Sequence, residues 1–108
     1  MNLTIIPTPN FIKSVKKLAK KYKRIAQDLQ ALQHELTQET YTAVELGSHC
    51  FKIRLANASI PTGKSGGFRV VFFKKIAEKI YLLEIYSKIE LENISDEKIV
   101  KILRENGL

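Results

Sequence analysis

The 108-residue chain has one cysteine, Cys50, which excludes an internal disulfide framework and suits a reducing compartment. Standing at the start of an apolar stretch, Cys50 reads as a small packed core residue rather than a nucleophile. No apolar run approaches the roughly 20 residues that span a bilayer, so no membrane partner is expected. The opening MNLTIIPTPNF lacks both a basic n-region and a long apolar h-region, so no signal peptide is expected, and a cytoplasmic location is the expectation. His34 and His49 have no Cys, His or carboxylate at ligand spacing; they read as surface residues, and no metal or cofactor is expected. Acids are also scarce, 11 Asp and Glu against 18 Lys and Arg, giving a net charge of +7. That excess favours an anionic partner, by counterion release if it is a nucleic acid. An anionic membrane surface or an acidic protein would fit the same charge.

Length and composition bound the chain to a single domain over residues 1–108. Asn2–Pro7 holds a short apolar run bounded by proline, read as an edge strand. Thr8 can cap a helix with Pro9 at its first position, where the missing N–H costs nothing. Phe11, Val15, Leu18 and Tyr22 then recur on one helical face, and Ile25, Leu29, Leu32 and Leu36 recur likewise. No Gly or Pro separates the two sets. One continuous helix would run about 40 Å at ~1.5 Å per residue, too long for a domain whose radius of gyration should be about 13 Å. A break near Tyr22–Arg24 and a helical hairpin are therefore expected. Its outer face carries Lys13, Lys16, Lys17, Lys20, Lys21, Lys23 and Arg24 with only Asp28 against them before Glu35. Such a face is either simply solvated or repels itself until a polyanion relieves it.

Beyond a polar loop and a short strand ending at Gly47, Phe51, Ile53 and Leu55 alternate with Lys52 and Arg54. Alternation puts the two cations on the face opposite the core. Between Phe51 and Phe73 there is no acidic residue. Gly63–Gly67 reads as a turn, Phe68–Phe73 as a central strand carrying Arg69 on the face of Val71 and Phe73, and Ile80–Tyr86 as another buried strand. Ser95 caps a last helix with Asp96 and Glu97 in its first turn, and Gly107 stops it. The order β-α-α-β-β-β-β-α implies an α+β fold, in which an N-terminal strand and helical hairpin pack on a small twisted antiparallel sheet with a short C-terminal helix.

Ala58–Ser65 nearly spells a phosphate-binding P-loop, but a strand rather than a helix follows it, so the amides that would cradle phosphate are missing. Glu45 and Glu84 are single acids in or near strands, and Glu90 and Glu92 lie in a loop beside Lys88, a poor basis for carboxylate catalysis. What remains is Lys52, Arg54, Arg69 and Lys88, with Lys64 on the turn. Sheet cations commonly do no more than keep an exposed face soluble. Here they come from three segments, and an arginine inside an apolar central strand is expensive without a partner or a task.

Lys52-Ile53-Arg54, the Gly-rich loop, Gly67-Phe68-Arg69-Val70-Val71 and the strand end Tyr86-Ser87-Lys88-Ile89-Glu90 together resemble the RelE/ParE toxin superfamily, above all its HigB- and RelE-like mRNA interferases. The resemblance spans roughly residues 11–103. It implies the toxin of a type II toxin–antitoxin system that cleaves mRNA in the ribosomal A site without a metal, inhibits translation and growth, and is neutralised by a cognate antitoxin, often of helix-turn-helix type. Carried over by position, Lys52 would be the base, Arg54 and Arg69 the phosphate stabilisers, and Lys88 an acid or phosphate contact. Lys64 and the helical lysines Lys13, Lys17, Lys20 and Lys21 would bind RNA. The chain departs from the family pattern at Ile89, where some members carry a second basic residue, and in its last helix, which has no tyrosine. Tyr86 is the candidate substitute acid. Two other readings stand beside this one: a ParE-like toxin that poisons gyrase, and a non-catalytic RNA- or partner-binding domain.

Overall fold

The chain enters as β1 (Thr4–Pro7) and turns at Thr8 into α1 (Pro9–Ala19). A computed structural model describes residues 3–61, 63–64, 66–76 and 78–108. Asn2 of the expected first strand, Thr62 of the P-loop-like stretch, Ser65 of the Gly-rich turn, and Ala77 of the following hairpin connection lie outside the described residues. The Thr8 side chain is buried and works twice: its oxygen accepts from Phe11 N at 3.3 Å, and its hydroxyl donates to Leu82 O at 2.8 Å. One residue thereby caps the helix and ties its start to the sheet.

The expected break falls at residues 20–24, after which α2 (Ile25–Gln38) runs back as the second arm of the hairpin. Tyr22 shows why. At 3% exposure it fills the space beside Phe68, their rings edge to face at 5.5 Å, and its hydroxyl reaches Ser87 Oγ at 3.2 Å. A straight helix could not lower this ring onto the sheet and also keep Ile25, Leu32 and Leu36 against it. The radius of gyration is 13.0 Å.

Four strands follow: β2 (Val44–Gly47), β3 (Cys50–Leu55), β4 (Phe68–Phe73) and β5 (Lys79–Ser87), before α3 (Asp96–Glu105) ends the fold. The sheet order is β1-β5-β4-β3-β2. Pairing is antiparallel from β2 to β5, as expected, but β1 lies parallel to β5, so the sheet is mixed. Hairpins set direction for neighbouring strands; β1 finds its partner across most of the chain, where no turn constrains it.

Alternation along the strands divides the core. One face holds Ile53, Leu55, Phe68, Val70 and Phe72 under α1 and α2. The other holds Cys50, Val71, Phe73, Leu83 and Tyr86 under Ile99, Ile102 and Leu103 of α3. Cys50 is fully buried, burial pushes its thiol pKa up, and it stands as the packed residue expected. A bulge interrupts β5: Val71 pairs with Glu84 but Phe72 with Leu82. The Glu84 carboxylate is buried and accepts from Ser14 Oγ, from Ile85 N at 3.0 Å and from Lys98 Nζ at 3.1 Å, joining α1, β5 and α3. Among the described residues, no helix is long and apolar enough to cross a membrane.

Asp28 of α2 is buried and grips the chain beyond β3, both its oxygens accepting from Ala58 N at 3.0 and 3.2 Å. Burial raises its pKa, and the bond from Ala58 opposes that rise only in part. A carboxyl raised in the folded state is held more readily as the acid, so its contribution to stability falls as pH rises above the ordinary carboxylate value. Asp28→Ala should cost about 1–3 kcal/mol by orphaning the Ala58 amide, whereas Asp28→Asn, which keeps an acceptor without the charge, should cost distinctly less at pH 7. Urea unfolding of both variants at pH 4 and pH 7 checks this, and the wild type's advantage over Asp28→Asn should shrink toward pH 7.

Candidate active site

The second sheet face changes character along β3 and β4. Cys50 faces Phe73, Lys52 faces Val71 and Arg54 faces Arg69, so one end is apolar and covered by α3 while the other is cationic. Arg54 and Arg69 are directly opposed like charges, an arrangement that weakens a sheet. Arg69 is only 7% exposed; its Nη1 donates to Lys64 O at 3.0 Å and Phe68 O at 3.2 Å. Burial, and then the charge of Arg54, lower its pKa from the ordinary arginine value. Arginine starts so high that it stays charged.

β2 pairs with β3 only from Cys50 to Lys52, so Ile53–Leu55 run on past Val44, the first residue of β2. Along that edge opens a groove of about 650 Å³, walled by the loop after α2, by the Gly-rich turn and by the end of β5. Lys52, Arg54, Lys64, Arg69 and Lys88 all line it, and among the described residues Glu35 is its one acid. The five expected cations therefore do meet. Lys64 is held by Glu35 at 2.9 Å, and Lys88 Nζ donates to Glu92 O at 2.9 Å. Lys52 Nζ donates to Asn93 Oδ1 at 3.2 Å.

The remaining expected residues lie elsewhere. Lys13, Lys17 and Lys20 are exposed on α1 and at its end, outside the groove. Lys21 lies outside it too: it pairs with Glu90 at 3.2 Å, and that hydrogen bond, followed by the charge of Glu90, raises the lysine pKa. Lys21 also borders a second basic hollow with Lys23, Arg24 and residues 58–61. Tyr86 is not among the residues that line the groove; it pairs with Arg69 across β4 and β5 and is only 6% exposed. Burial is the main cause that pushes its pKa up, so it holds its proton at neutral pH. His34 and His49 are exposed, as expected.

Gly67 is what lets these segments close together. A Cβ there would stand 2.3 Å from Leu55 O, closer than real Cβ atoms come, and a tight 3.0 Å from Asn57 N. The Gly67 carbonyl also accepts from Lys88 N at 3.0 Å. The exit of β3, the entry of β4 and the end of β5 thus cross at one residue without a side chain. The near-miss with a P-loop is resolved here as well, since the chain after Gly67 is the strand β4 and not a helix. Sequence reading missed Glu35, which a basic groove gave no reason to seek, and Asn93, a loop residue with nothing in its neighbours to mark it.

A small α+β domain that gathers cations from two strands, a turn and the residue after β5 onto one groove offers an anion a complementary surface. The family model described as the RelE toxin of the RelE/RelB toxin–antitoxin system matches residues 11–106, and the chain belongs to that family, within the RelE/ParE superfamily. Membership makes it the toxin of a toxin–antitoxin pair, with an antitoxin as its partner. No curated protein sequence matches it.

Gly67→Ala should force β3 and β4 apart, costing about 1–3 kcal/mol or more and releasing Lys88 from the groove. Chemical denaturation reads the stability, and hydrogen exchange at the Lys88 amide reads the release. An unchanged midpoint would mean that the two strands part without penalty.

Proposed function

We propose that the protein is a ribosome-dependent endoribonuclease of the HigB- and RelE-like branch, acting in the cytoplasm on mRNA in the A site. The observation that carries this reading is the convergence of Lys52, Arg54, Arg69, Lys88 and Lys64 on one groove. Cleavage by an internal 2′-hydroxyl needs a base to take that proton, an acid for the leaving 5′-oxygen and cations for the pentacoordinate phosphate. Lys52, half-buried on β3, is the base. Arg54 and Arg69, opposed across β3 and β4, take the charge that builds on the phosphate. Lys88 contacts the phosphate or protonates the leaving oxygen, and Tyr86 is the other candidate acid. The attack makes the O2′–P bond and breaks the P–O5′ bond, leaving a 2′,3′-cyclic phosphate and a 5′-hydroxyl.

The repulsion between Arg54 and Arg69 supports the same reading, because a bound phosphate would relieve it. Lys64 would exchange Glu35 for RNA, and Lys13, Lys17, Lys20 and Lys21 would extend a basic track along the first helix and into the turn that follows it. The cognate antitoxin, of helix-turn-helix type, would neutralise the activity.

Arg54 is exposed, so its removal should separate chemistry from stability. Arg54→Ala should reduce cleavage by about 100-fold or more, as losing one transition-state donor does, while leaving Tm unchanged or slightly higher. Inducible expression with mapping of mRNA 5′ ends gives the readout: A-site ends for the wild type and almost none for the variant. Growth arrest without such ends would overturn the nuclease reading. If DNA damage accompanied it, gyrase would be the target, and if no arrest occurred, the domain would be non-catalytic.

A further inference from the structure

The segment from Lys88 to Ser95, between β5 and α3, is fastened on both sides. Lys88 N donates to Gly67 O at 3.0 Å and Leu91 N to Ser87 O at 2.9 Å, while Ile94 is buried in the cluster under α3. Within it, three donors converge on one atom. Asn93 Oδ1 accepts from Lys52 Nζ at 3.2 Å, from Ile94 N at 3.0 Å and, more weakly, from Tyr86 OH at 3.5 Å. Lys52 lies on β3 and Tyr86 on β5, with β4 between them. Asn93 is thus a single acceptor shared by the base of the proposed reaction and its candidate acid.

The chemistry of this acceptor matters. An ammonium group has three N–H donors and a neutral amine has two, so an amide oxygen can hold Lys52 in either protonation state. A carboxylate in the same place would favour the charged form and resist loss of the proton. The anchor from Ile94 N fixes the oxygen independently of both partners.

We propose that Asn93 is a positioning residue, which aims the Lys52 amine into the groove and holds Tyr86 beside it through an uncharged acceptor that tolerates proton loss from the lysine. This rests on the endoribonuclease reading above. Asn93 itself need not touch the RNA.

The test uses the full chain on ribosome-bound mRNA, measuring single-turnover cleavage against pH for wild type, Asn93→Ala and Asn93→Asp. Asn93→Ala should slow cleavage at saturating ribosome by about 10–100-fold, the scale of a misplaced catalytic group, with the half-saturating ribosome concentration unchanged. Asn93→Asp keeps an acceptor for Ile94 N and should move the rising limb of the pH–rate profile to higher pH. Wild-type rates in Asn93→Ala, or an unmoved profile in Asn93→Asp, would overturn the proposal. A titration of the Lys52 side chain by NMR decides the matter without cleavage: Asn93→Asp should raise its midpoint, and an unchanged midpoint refutes the contact. If the wild type cuts no mRNA, the endoribonuclease reading fails and the NMR result still judges Asn93. Should Asn93→Ala not fold, Asn93→Asp supplies both readouts.

Discussion

The approach of Gly67 to the carbonyl of Leu55 is the contact on which the rest of the site depends. β3 carries Lys52 and Arg54, β4 carries Arg69, and Lys88 follows directly on the last residue of β5. For these to reach one groove, the chain leaving β3 and the chain entering β4 must pass with no side chain between them. The same glycine accepts from the Lys88 amide, so the third segment is registered against the first two at the crossing itself. Everything cationic in the groove is placed relative to that one backbone contact.

Such a gathering opposes stability, and the fold offsets it elsewhere. Like charges faced across a sheet cost free energy, and a nearly buried arginine costs more unless its N–H groups are occupied. Arg69 is satisfied by the carbonyls of Lys64 and Phe68, which bind it to the turn beside it. Lys64 is balanced by Glu35, and Lys52 and Lys88 rest on neutral oxygens of the segment before α3. Neutral acceptors hold the lysines without cancelling their charge, which leaves the positive field available to an incoming phosphate. The two apolar clusters provide the surplus: helices α1 and α2 seal one face, and α3 seals the apolar end of the other.

Much of this was legible in the chain because local physics decided it. Period-two alternation fixed the face of Lys52 and Arg54, capping chemistry marked Thr8 and Ser95, and the size of the domain demanded a break that no Gly or Pro announces. Tyr22 supplies the missing cause, since its ring belongs to the core and its hydroxyl to Ser87. Non-local features were hidden. The parallel direction of β1 depends on a partner more than seventy residues away, and the bulge that turns Glu84 toward Ser14 and Lys98 leaves no mark in composition. The site was legible as a set of cations, while Asn93 and Glu35, which hold two of them, were not. Their contacts exist only once the chain has folded.

The central claim is that this groove assists attack by the RNA's own 2′-hydroxyl. It is tested most directly by single-turnover cleavage of ribosome-bound mRNA carrying a 2′-deoxy residue on the 5′ side of the scissile phosphate, with end-group analysis of the all-ribose control. The account predicts no cleavage at the 2′-deoxy position, and a 2′,3′-cyclic phosphate with a 5′-hydroxyl from the control. Cleavage of the 2′-deoxy message, or a 5′-phosphate on the product, would contradict it.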